Sequence, residues 1–350
     1  MTILGFLAVA SIGTILYFWW GFTVLPGERW QFLATVPVEK ASPDAWRGVN
    51  LTWYGLLTAN AYAAAVAMLM LLLGAIRIPP AGVATLAVPL LLVCVPASRL
   101  VARIVEKKAH TFTVGGAVFV GIIIAPWLIP LVNRTAGAAL GFYLPPLATL
   151  AAIAIAYSFG EGLGRMACIS FGCCYGKPLR DAPSLLRRIF AGSCFIFSGG
   201  TKKIAYAHGL EGVKVLPVQA VTAVLYTVCG LCASGLFLEG ESAAAFIVAT
   251  AVTQIWRFLS ETLRADYRGE GRVSPYQIMG ILGVLYAMGS AFFLRGEASR
   301  GTNLGVALAA LWDPAMILFL QALWLAIFFY TGRSTVTGAT LTFHVRRERI

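Results

Sequence analysis

Residues Tyr54 to Ile76 read YGLLTANAYAAAVAMLMLLLGAI, a run that contains no charged side chain. An α-helix rises about 1.5 Å per residue, so about 20 mostly apolar residues cross the roughly 30 Å hydrocarbon core of a bilayer. This run is therefore predicted to be a membrane-spanning helix. It is too long and too continuously apolar for the alternating strands of a membrane β-barrel.

Similar runs recur along the 350 residues, of which 59% are hydrophobic and 12% are charged. A soluble globular chain has about 25% charged residues, so these charges are too few to cover a water-facing surface. The predicted fold is an all-α, polytopic transmembrane helix bundle of about nine spans. The spans are predicted at Ile3–Leu25, Tyr54–Ile76, Gly82–Ser98, Thr113–Val132, Ala138–Gly160, Leu216–Leu238, Glu241–Leu263, Ser274–Leu294 and Leu308–Thr331.

The net charge of +12 is distributed unevenly across this topology. Connections on one side of the predicted bundle carry 22 Lys or Arg residues, those on the other side carry 4, and Arg257 lies inside a span. Cytoplasmic loops are enriched in Lys and Arg, so this bias predicts that the basic side, with the long 161–215 connection and the C-terminus, faces the cytoplasm. Basic residues that flank spans fit anionic lipid headgroups better than nucleic acid, so no nucleic-acid binding is expected.

The long connection is predicted to be a glycine-rich loop followed by a polar loop domain. It begins EGLGRMACISFGCCYG from Glu161 to Gly176, where glycines let the backbone bend and approach a ligand closely. Arg165 lies among them at the membrane boundary. An arginine at this depth usually faces the bundle interior and pairs with a charged group, and its planar fork suits phosphate. The alternative is an interfacial arginine whose side chain extends to the headgroups.

A second charged group lies near the end of the predicted span Glu241–Leu263. Arg257, Glu261 and Arg264 are spaced i, i+4 and i+7, which places them on one helix face. They are either functional or an ion pair that satisfies itself at the interface. Because an uncompensated charge in a membrane is costly, we expect Arg165 and Arg257 to converge on one polar site between helices.

The adjacent Cys173 and Cys174, with Cys168 nearby, allow several interpretations: nucleophiles, metal ligands, members of a substrate pocket, or small packing residues. Packing is favoured because the cysteine spacing fits metal motifs only loosely. A packing role predicts that serine replacements retain activity. Neither a metal nor a cofactor is expected, since the chain contains no phosphate-binding loop or dinucleotide motif.

These motifs resemble those of the prolipoprotein diacylglyceryl transferase family, whose diagnostic loop reads roughly G-R-x-G-N-F-x-N-x-E-x-x-G. Gly164-Arg165, Gly172 and Gly176 are similar to it, and four further matches follow the family's order. They are Trp53-Tyr54-Gly55-Leu56 for W-Y-G-L, Gly115-Gly116 for H-G-G, Pro217-Val218-Gln219 for the P-S-Q segment, and Arg257-Phe258 with Glu261 for R-F-x-x-E. The resemblance extends from about Trp53 to about Leu285.

The resemblance implies a multi-pass enzyme of the bacterial cytoplasmic (inner) membrane. Family members transfer the diacylglyceryl group of phosphatidylglycerol, or of a similar anionic phospholipid, to a lipobox cysteine of a prolipoprotein. By resemblance, Arg165 and Arg257 bind the phosphate and Glu261 orients Arg257. The expected substrate-binding positions are Tyr54, Gly115, Gly116, Gly164, Cys173, Cys174, Gly176, Gln219 and Arg264. The expected partners are the phospholipid and prolipoprotein signal peptides.

Several positions depart from the family pattern. Val114 replaces the histidine before Gly-Gly, Cys168 and Phe171 replace the two asparagines, and Cys173 replaces the acidic residue. The family's candidate general base is therefore missing from its expected place. Three hypotheses stay open: prolipoprotein transfer, transfer to another acceptor, and a non-enzymatic lipid-binding or transport protein. The resemblance also implies a site on the outer membrane face, in opposition to the charge bias.

The resemblance divides the chain into three predicted regions. Residues 1–52 form an additional N-terminal transmembrane helix and an amphipathic linker. Residues 53–295 form the transferase-like membrane domain, which includes the 161–215 connection. Residues 296–350 form an additional C-terminal transmembrane helix and a basic tail.

Overall fold

The computed structural model describes residues 2–107, 113–265, 273–294 and 301–350. Most of the described chain is helical, and the strands are short. The helices are α1 (Ile3–Val24), α2 (Trp53–Ala75), α3 (Pro80–Glu106), α4 (Val114–Val132), α5 (Ala138–Leu140), α6 (Pro146–Phe171), α7 (Ser184–Ile189), α8 (Lys203–His208), α9 (Val218–Leu238), α10 (Ser242–Leu263), α11 (Pro275–Phe293), α12 (Leu304–Leu311) and α13 (Pro314–Thr331). The strands are β1 (Phe32–Lys40), β2 (Trp46–Thr52), β3 (Phe195–Ile196), β4 (Lys214–Val215) and β5 (Arg333–Leu341).

Within the described ranges, nine helices are long and apolar enough to cross a membrane. The predicted all-α polytopic bundle is therefore confirmed, and each predicted span overlaps one of these helices. α3 contains Pro89 and Pro96 and extends beyond its predicted end at Ser98 to Glu106. Membrane helices tolerate interior prolines because neighbouring groups satisfy the freed backbone carbonyls.

The predicted bounds of the fifth span, Ala138–Gly160, are wrong. The helix is α6, which starts at Pro146 and ends at Phe171; the capping residue that follows, Gly172, has a φ of +70°, which favours glycine. Its glycines allow close helix contact: a Cβ on Gly162 would lie 2.7 Å from Thr227 Oγ1 on α9. The first half of the predicted glycine-rich loop is therefore helical, because small residues let membrane helices approach closely.

α6 is the central helix of the bundle, with α2, α9 and α10 packed around it. Ala151, Ala152 and Ile155 of α6 are completely buried. By contrast, α1 and α13 lie at the periphery and expose apolar side chains such as Leu16 and Leu318. Exposed apolar side chains on a spanning helix fit contact with lipid.

The described residues also contain a three-stranded antiparallel sheet in the order β1-β2-β5. Val36 on β1 pairs with Val49 on β2, and Val49 pairs with Gly338 on β5. The segments that the sequence predicted as an amphipathic linker and a basic tail therefore form a sheet together. The predicted regional boundary at residues 295 and 296 lies outside the described residues, and the division into regions stays a prediction.

Several segments on the basic side of the bundle contact one another. Gln31 Nε2 donates to the Thr201 carbonyl at 2.8 Å, and Thr201 Oγ1 donates to Gln31 Oε1 at 2.8 Å. Lys202 Nζ also donates to the Leu25 carbonyl at 3.2 Å. The connections before α2 and after α6 therefore lie on one side, as the charge argument required. Residues 108–112 and 266–272, which carry further basic residues that the charge argument assigns to this side, lie outside the described residues.

Candidate active site

Arg165 and Arg257 meet at a single carboxylate. Glu161 lies one turn before Arg165 on α6 and forms an ion pair with it. Arg257 Nη2 on α10 lies 3.7 Å from Oε1 of the same glutamate. The exposed fractions of the Arg165, Arg257 and Glu161 side chains are 14%, 10% and 8%, so this is a buried charged cluster. The two guanidinium groups thus converge between helices, as expected from the cost of isolated charges.

Tyr157 fixes the position of Arg257. Arg257 Nη2 donates to the Tyr157 hydroxyl at 2.7 Å. The Tyr157 ring lies 6.0 Å from the ring of Tyr226, whose hydroxyl donates to the Thr253 carbonyl at 2.6 Å. A chain of polar and aromatic contacts therefore connects α6, α9 and α10 around the guanidinium.

Each arginine retains an unused hydrogen-bond donor. The Nε atoms of Arg165 and Arg257 are buried and have no hydrogen-bond partner among the described residues. A buried polar group without a partner costs free energy, and a guanidinium offers five N–H donors. A phosphate, with several acceptor oxygens, would satisfy these donors.

Gly115 leaves room for Arg257 at the beginning of α4. A Cβ at this position would lie 2.7 Å from Arg257 Nη1 and 2.8 Å from Tyr276 Cδ1. Gly116 instead faces α3, where a Cβ would lie 2.5 Å from the Cβ of Val101. Gly115 therefore belongs to the arginine site, and Gly116 allows α3 and α4 to approach. The preceding residue, Val114, has no group that can accept a proton.

Glu261 and Arg264 form an ion pair at the end of α10, with Glu261 Oε1 3.8 Å from Arg264 Nη1. The orienting role of Glu261 at Arg257, which the resemblance implies, stays a prediction. A carboxylate oxygen of Glu161 lies 3.7 Å from Arg257 Nη2. Both side chains of the pair between Glu261 and Arg264 are 6% exposed. The sequence analysis therefore missed Glu161 as the acid of the arginine site.

The segment after α6 is joined to the end of α10 by backbone contacts. Gly176 forms an isolated β-bridge with Arg264, and Lys177 N donates to the Leu263 carbonyl at 2.9 Å. A Cβ on Gly176 would lie 2.5 Å from the Leu216 carbonyl oxygen, so only glycine fits. These contacts place Arg264 beside the cysteine-containing turn.

The three cysteines that follow Arg165 form a cluster. Their sulfur atoms all lie within 4.8 Å of one another, although Cys168 belongs to α6 while Cys173 and Cys174 follow it. The turn is fixed because Cys173 N donates to the Cys168 carbonyl at 3.0 Å and Gln219 Nε2 donates to the Cys173 carbonyl at 2.9 Å. Cys174 has a φ of 56°, a strained conformation for a residue with a side chain.

The environment of Cys174 favours a thiolate. Hydrogen bonds from Cys168 and Cys173 hold the pKa of the Cys174 thiol well below its usual value, against the opposing effect of burial. The positive charges of Arg264 and Arg165 act in the same direction. The cysteine cluster is therefore electrostatically coupled to Arg165 and Arg264.

The remaining predicted residues lie around these two groups. The ring of Tyr54, at the start of α2, lies 5.7 Å from the ring of Phe171 and interacts electrostatically with all three cysteines. Gly164 faces α2, where a Cβ on this glycine would lie 3.7 Å from the Cβ of Ala61. The structure thus brings Tyr54 and Gln219 to the cysteine turn, and Gly115 to the arginine pair.

The chain is similar to a known protein family. A model of the family described as prolipoprotein diacylglyceryl transferase matches residues 44–293. The matched range contains the arginine pair, Glu161 and the cysteine cluster, and it leaves out α1 and α13. A search of curated proteins finds no match to the chain. Because the family match covers most of the length of the chain, the chain belongs to the prolipoprotein diacylglyceryl transferase family of membrane-bound transferases.

Proposed function

We propose that the protein transfers the diacylglyceryl group of phosphatidylglycerol to the lipobox cysteine thiol of a prolipoprotein and releases glycerol phosphate. One observation carries this proposal: two buried arginines from different helices share one carboxylate, and both retain an unused Nε donor. The family match supports a lipid substrate and transferase chemistry. The proposed location is the bacterial cytoplasmic membrane.

The charge of the arginine cluster fits the proposed lipid. Two guanidinium groups and one carboxylate have a net charge of one positive unit, which balances the single negative charge of a phosphodiester. Glu161 keeps the two arginines close by offsetting their mutual repulsion. When the leaving phosphate gains a second negative charge, fixed guanidinium donors in a site with little water stabilise it strongly.

In the proposed reaction the substrate supplies the nucleophile. The cysteine thiol gives its proton to water, and its sulfur attacks the glycerol carbon of the diacylglyceryl group. The bond between this carbon and the phosphate oxygen breaks, and the electron pair stays on the leaving glycerol phosphate. Arg165 and Arg257 hold this phosphate, so the chain needs no nucleophile of its own.

A surface groove between α3 and α13 offers a route for the lipid. It has a volume of about 300 Å³ and is lined by Val95, Pro96, Arg99, Leu100, Arg103 and Tyr330. Arg99 hydrogen-bonds to the Tyr330 hydroxyl. Tyr62 interacts electrostatically with Glu161 of the arginine site and with Tyr330 of the groove. Basic and apolar groups together suit the headgroup and chains of an anionic lipid.

The departures from the family pattern favour two alternatives. Val114 in place of the family histidine would be explained by another acceptor, or by a lipid-binding or transport protein that has lost catalysis. The intact arginine pair favours the enzyme over the non-enzymatic alternative, because a transport protein does not require stabilisation of a leaving group.

The decisive experiment measures transfer from labelled phosphatidylglycerol to a lipobox peptide by the purified protein in lipid nanodiscs. We expect Arg165→Ala and Arg257→Ala each to lower the rate at least about 100-fold. Arg180→Ala is the matched control, since the side chain of this loop arginine is 78% exposed, and it should retain the rate. Arginine-dependent lipid binding without transfer to any thiol would identify a non-enzymatic protein instead.

A further inference from the structure

We propose that Cys168, Cys173 and Cys174 form a three-thiolate zinc site whose open fourth coordination position binds the thiol of the acceptor. The identity of this acceptor thiol rests on the proposed function. The metal site itself rests on the geometry of the three cysteines.

The positions of the three sulfur atoms fit one metal ion. They lie within 4.8 Å of one another, and thiolates bound to zinc at about 2.3 Å lie about 3.8 Å apart, so small rotations of the side chains suffice. The backbone that carries them is fixed by the hydrogen bonds at Cys173 and by the left-handed conformation of Cys174. A strained residue in a fixed turn is typical of a functional site.

The charge around the cluster fits a zinc trithiolate. Three thiolates and Zn²⁺ carry a net charge of one negative unit, and a buried charge requires a partner of opposite sign. Arg165 and Arg264 both interact electrostatically with Cys174. Cys168 also lies one helical turn after Arg165, on the same side of α6. Positive groups therefore border the proposed metal site, and the substrate phosphate would bind at Arg165 beside it.

A zinc ion would promote deprotonation of the acceptor thiol, which Val114 cannot do because its side chain accepts no proton. A zinc ion with three protein ligands retains one position for water or substrate, and a thiol bound there loses its proton. The described part of the chain places no fourth cysteine, histidine or carboxylate in this cluster, so the position stays open. The proton of the acceptor thiol would pass to solvent without a side chain that acts as base.

The proposed reaction consists of thiol binding to zinc followed by transfer of the diacylglyceryl group. The acceptor thiol replaces water on zinc and releases one proton. Its sulfur then forms a bond to the glycerol carbon while the carbon–oxygen bond to phosphate breaks, and glycerol phosphate leaves with the electron pair. Neither an oxidant nor a reductant is needed, because zinc keeps its oxidation state.

The first test measures metal content. The full chain is purified with reduced thiols, placed in nanodiscs, equilibrated with Zn²⁺ and washed. We expect about one zinc per chain, and at least a tenfold loss in Cys168→Ser, Cys173→Ser and Cys174→Ser. Cys194→Ser is the matched control, because Cys194 lies in the same connection but outside the cluster, and it should bind zinc normally. Equal zinc content in all four variants, or a disulfide within the cluster in place of zinc, would overturn the site.

The second test uses Co²⁺ in place of zinc, because its visible absorption reports the ligands. A lipobox peptide should change the spectrum of the Co²⁺-loaded protein, whereas the same peptide with serine for cysteine should not. This readout does not require turnover. A protein that transfers the lipid after complete removal of the metal would retain the proposed function and refute the zinc site. An unchanged spectrum with the cysteine peptide would refute the acceptor position.

Discussion

Glu161 is the acid shared by two arginines, and its replacement should disturb both. We expect Glu161→Gln to lower the free energy of unfolding by about 3 kcal/mol, since it leaves two buried positive charges without their common counter-charge. Unfolding by denaturant in detergent micelles measures this change. Glu39→Gln is the control, because the exposed pair of Glu39 and Arg47, at 3.6 Å, should contribute at most about 1 kcal/mol. Equal effects of the two changes would contradict a structural role for the shared carboxylate.

A substitution at Gly115 tests whether the position of Arg257 matters, because it leaves the charge of the arginine in place. We expect Gly115→Ala to lower the transfer rate about 100-fold, since the new methyl group would lie 2.7 Å from Arg257 Nη1 and displace it. Gly121→Ala is a matched control on the same helix, where the nearest atom is Cys94 Sγ at 3.4 Å. Similar kinetics for both variants in the lipid transfer assay would rule out this steric role.

The sequence predicts the arginines of the site better than their partners. Arg165 and Arg257 stand out because they are isolated charges near apolar runs. The sequence does not single out Glu161, because the surrounding glycines favour a loop. In the helix that forms instead, Tyr157, Glu161 and Arg165 lie on one face at a spacing of four residues. This spacing was the available signal, and it depends on the correct end of α6.

At the scale of whole elements, hydrophobic run length predicts the spans because the bilayer fixes their length. It fails for the sheet, since β2 and β5 come from segments that look like a linker and a tail. Thr52 Oγ1 donates to the Gly332 carbonyl at 3.0 Å across 280 positions of sequence. A pairing over such a distance leaves no local pattern from which it could be predicted.

The connection between α6 and α9 carries a buried lysine that should make stability depend on pH. Burial lowers the pKa of Lys202 from 10.5 to about 8, against the opposing charge of Glu28. Above pH 8 the folded chain releases a proton that the unfolded chain retains up to about pH 10.5, so this lysine should make the protein more stable as the pH rises through that window. Below about pH 8 the cost of the buried charge applies in full.

Thermal unfolding at pH 7 and pH 10 measures the gain in stability with pH, which is compared between the unmodified protein and its lysine variants. Lys202→Met should remove the contribution, so the pH-dependent gain in stability should be smaller than in the unmodified protein by roughly 3 kcal/mol. Lys214→Met, at an exposed position of the same connection, should keep the full gain. A gain that Lys202→Met leaves intact would show that Lys202 is not the titrating group.

For the whole molecule, one measurement of topology decides the face of the site. The contacts that join the β1 segment to the connection after α6 place the sheet, the cysteine turn and the end of α13 on one side. The charge bias predicts that this side is cytoplasmic. A phosphatase fused after Ile350, active only when exported, should therefore be inactive. Activity of the fusion would place the site on the outer face instead.

The pairing of β2 with β5 also sets the order in which the nascent chain can mature. Thr52 N and Thr52 Oγ1 both donate to the Gly332 carbonyl, and Gly55 lies against the Gly332 backbone. Ribosomes add about 5–20 residues per second, so the start of α2 waits tens of seconds for this partner. Until then β2 presents an open strand edge beside Tyr54. β2 therefore gains this second neighbouring strand only after translation has passed Leu341.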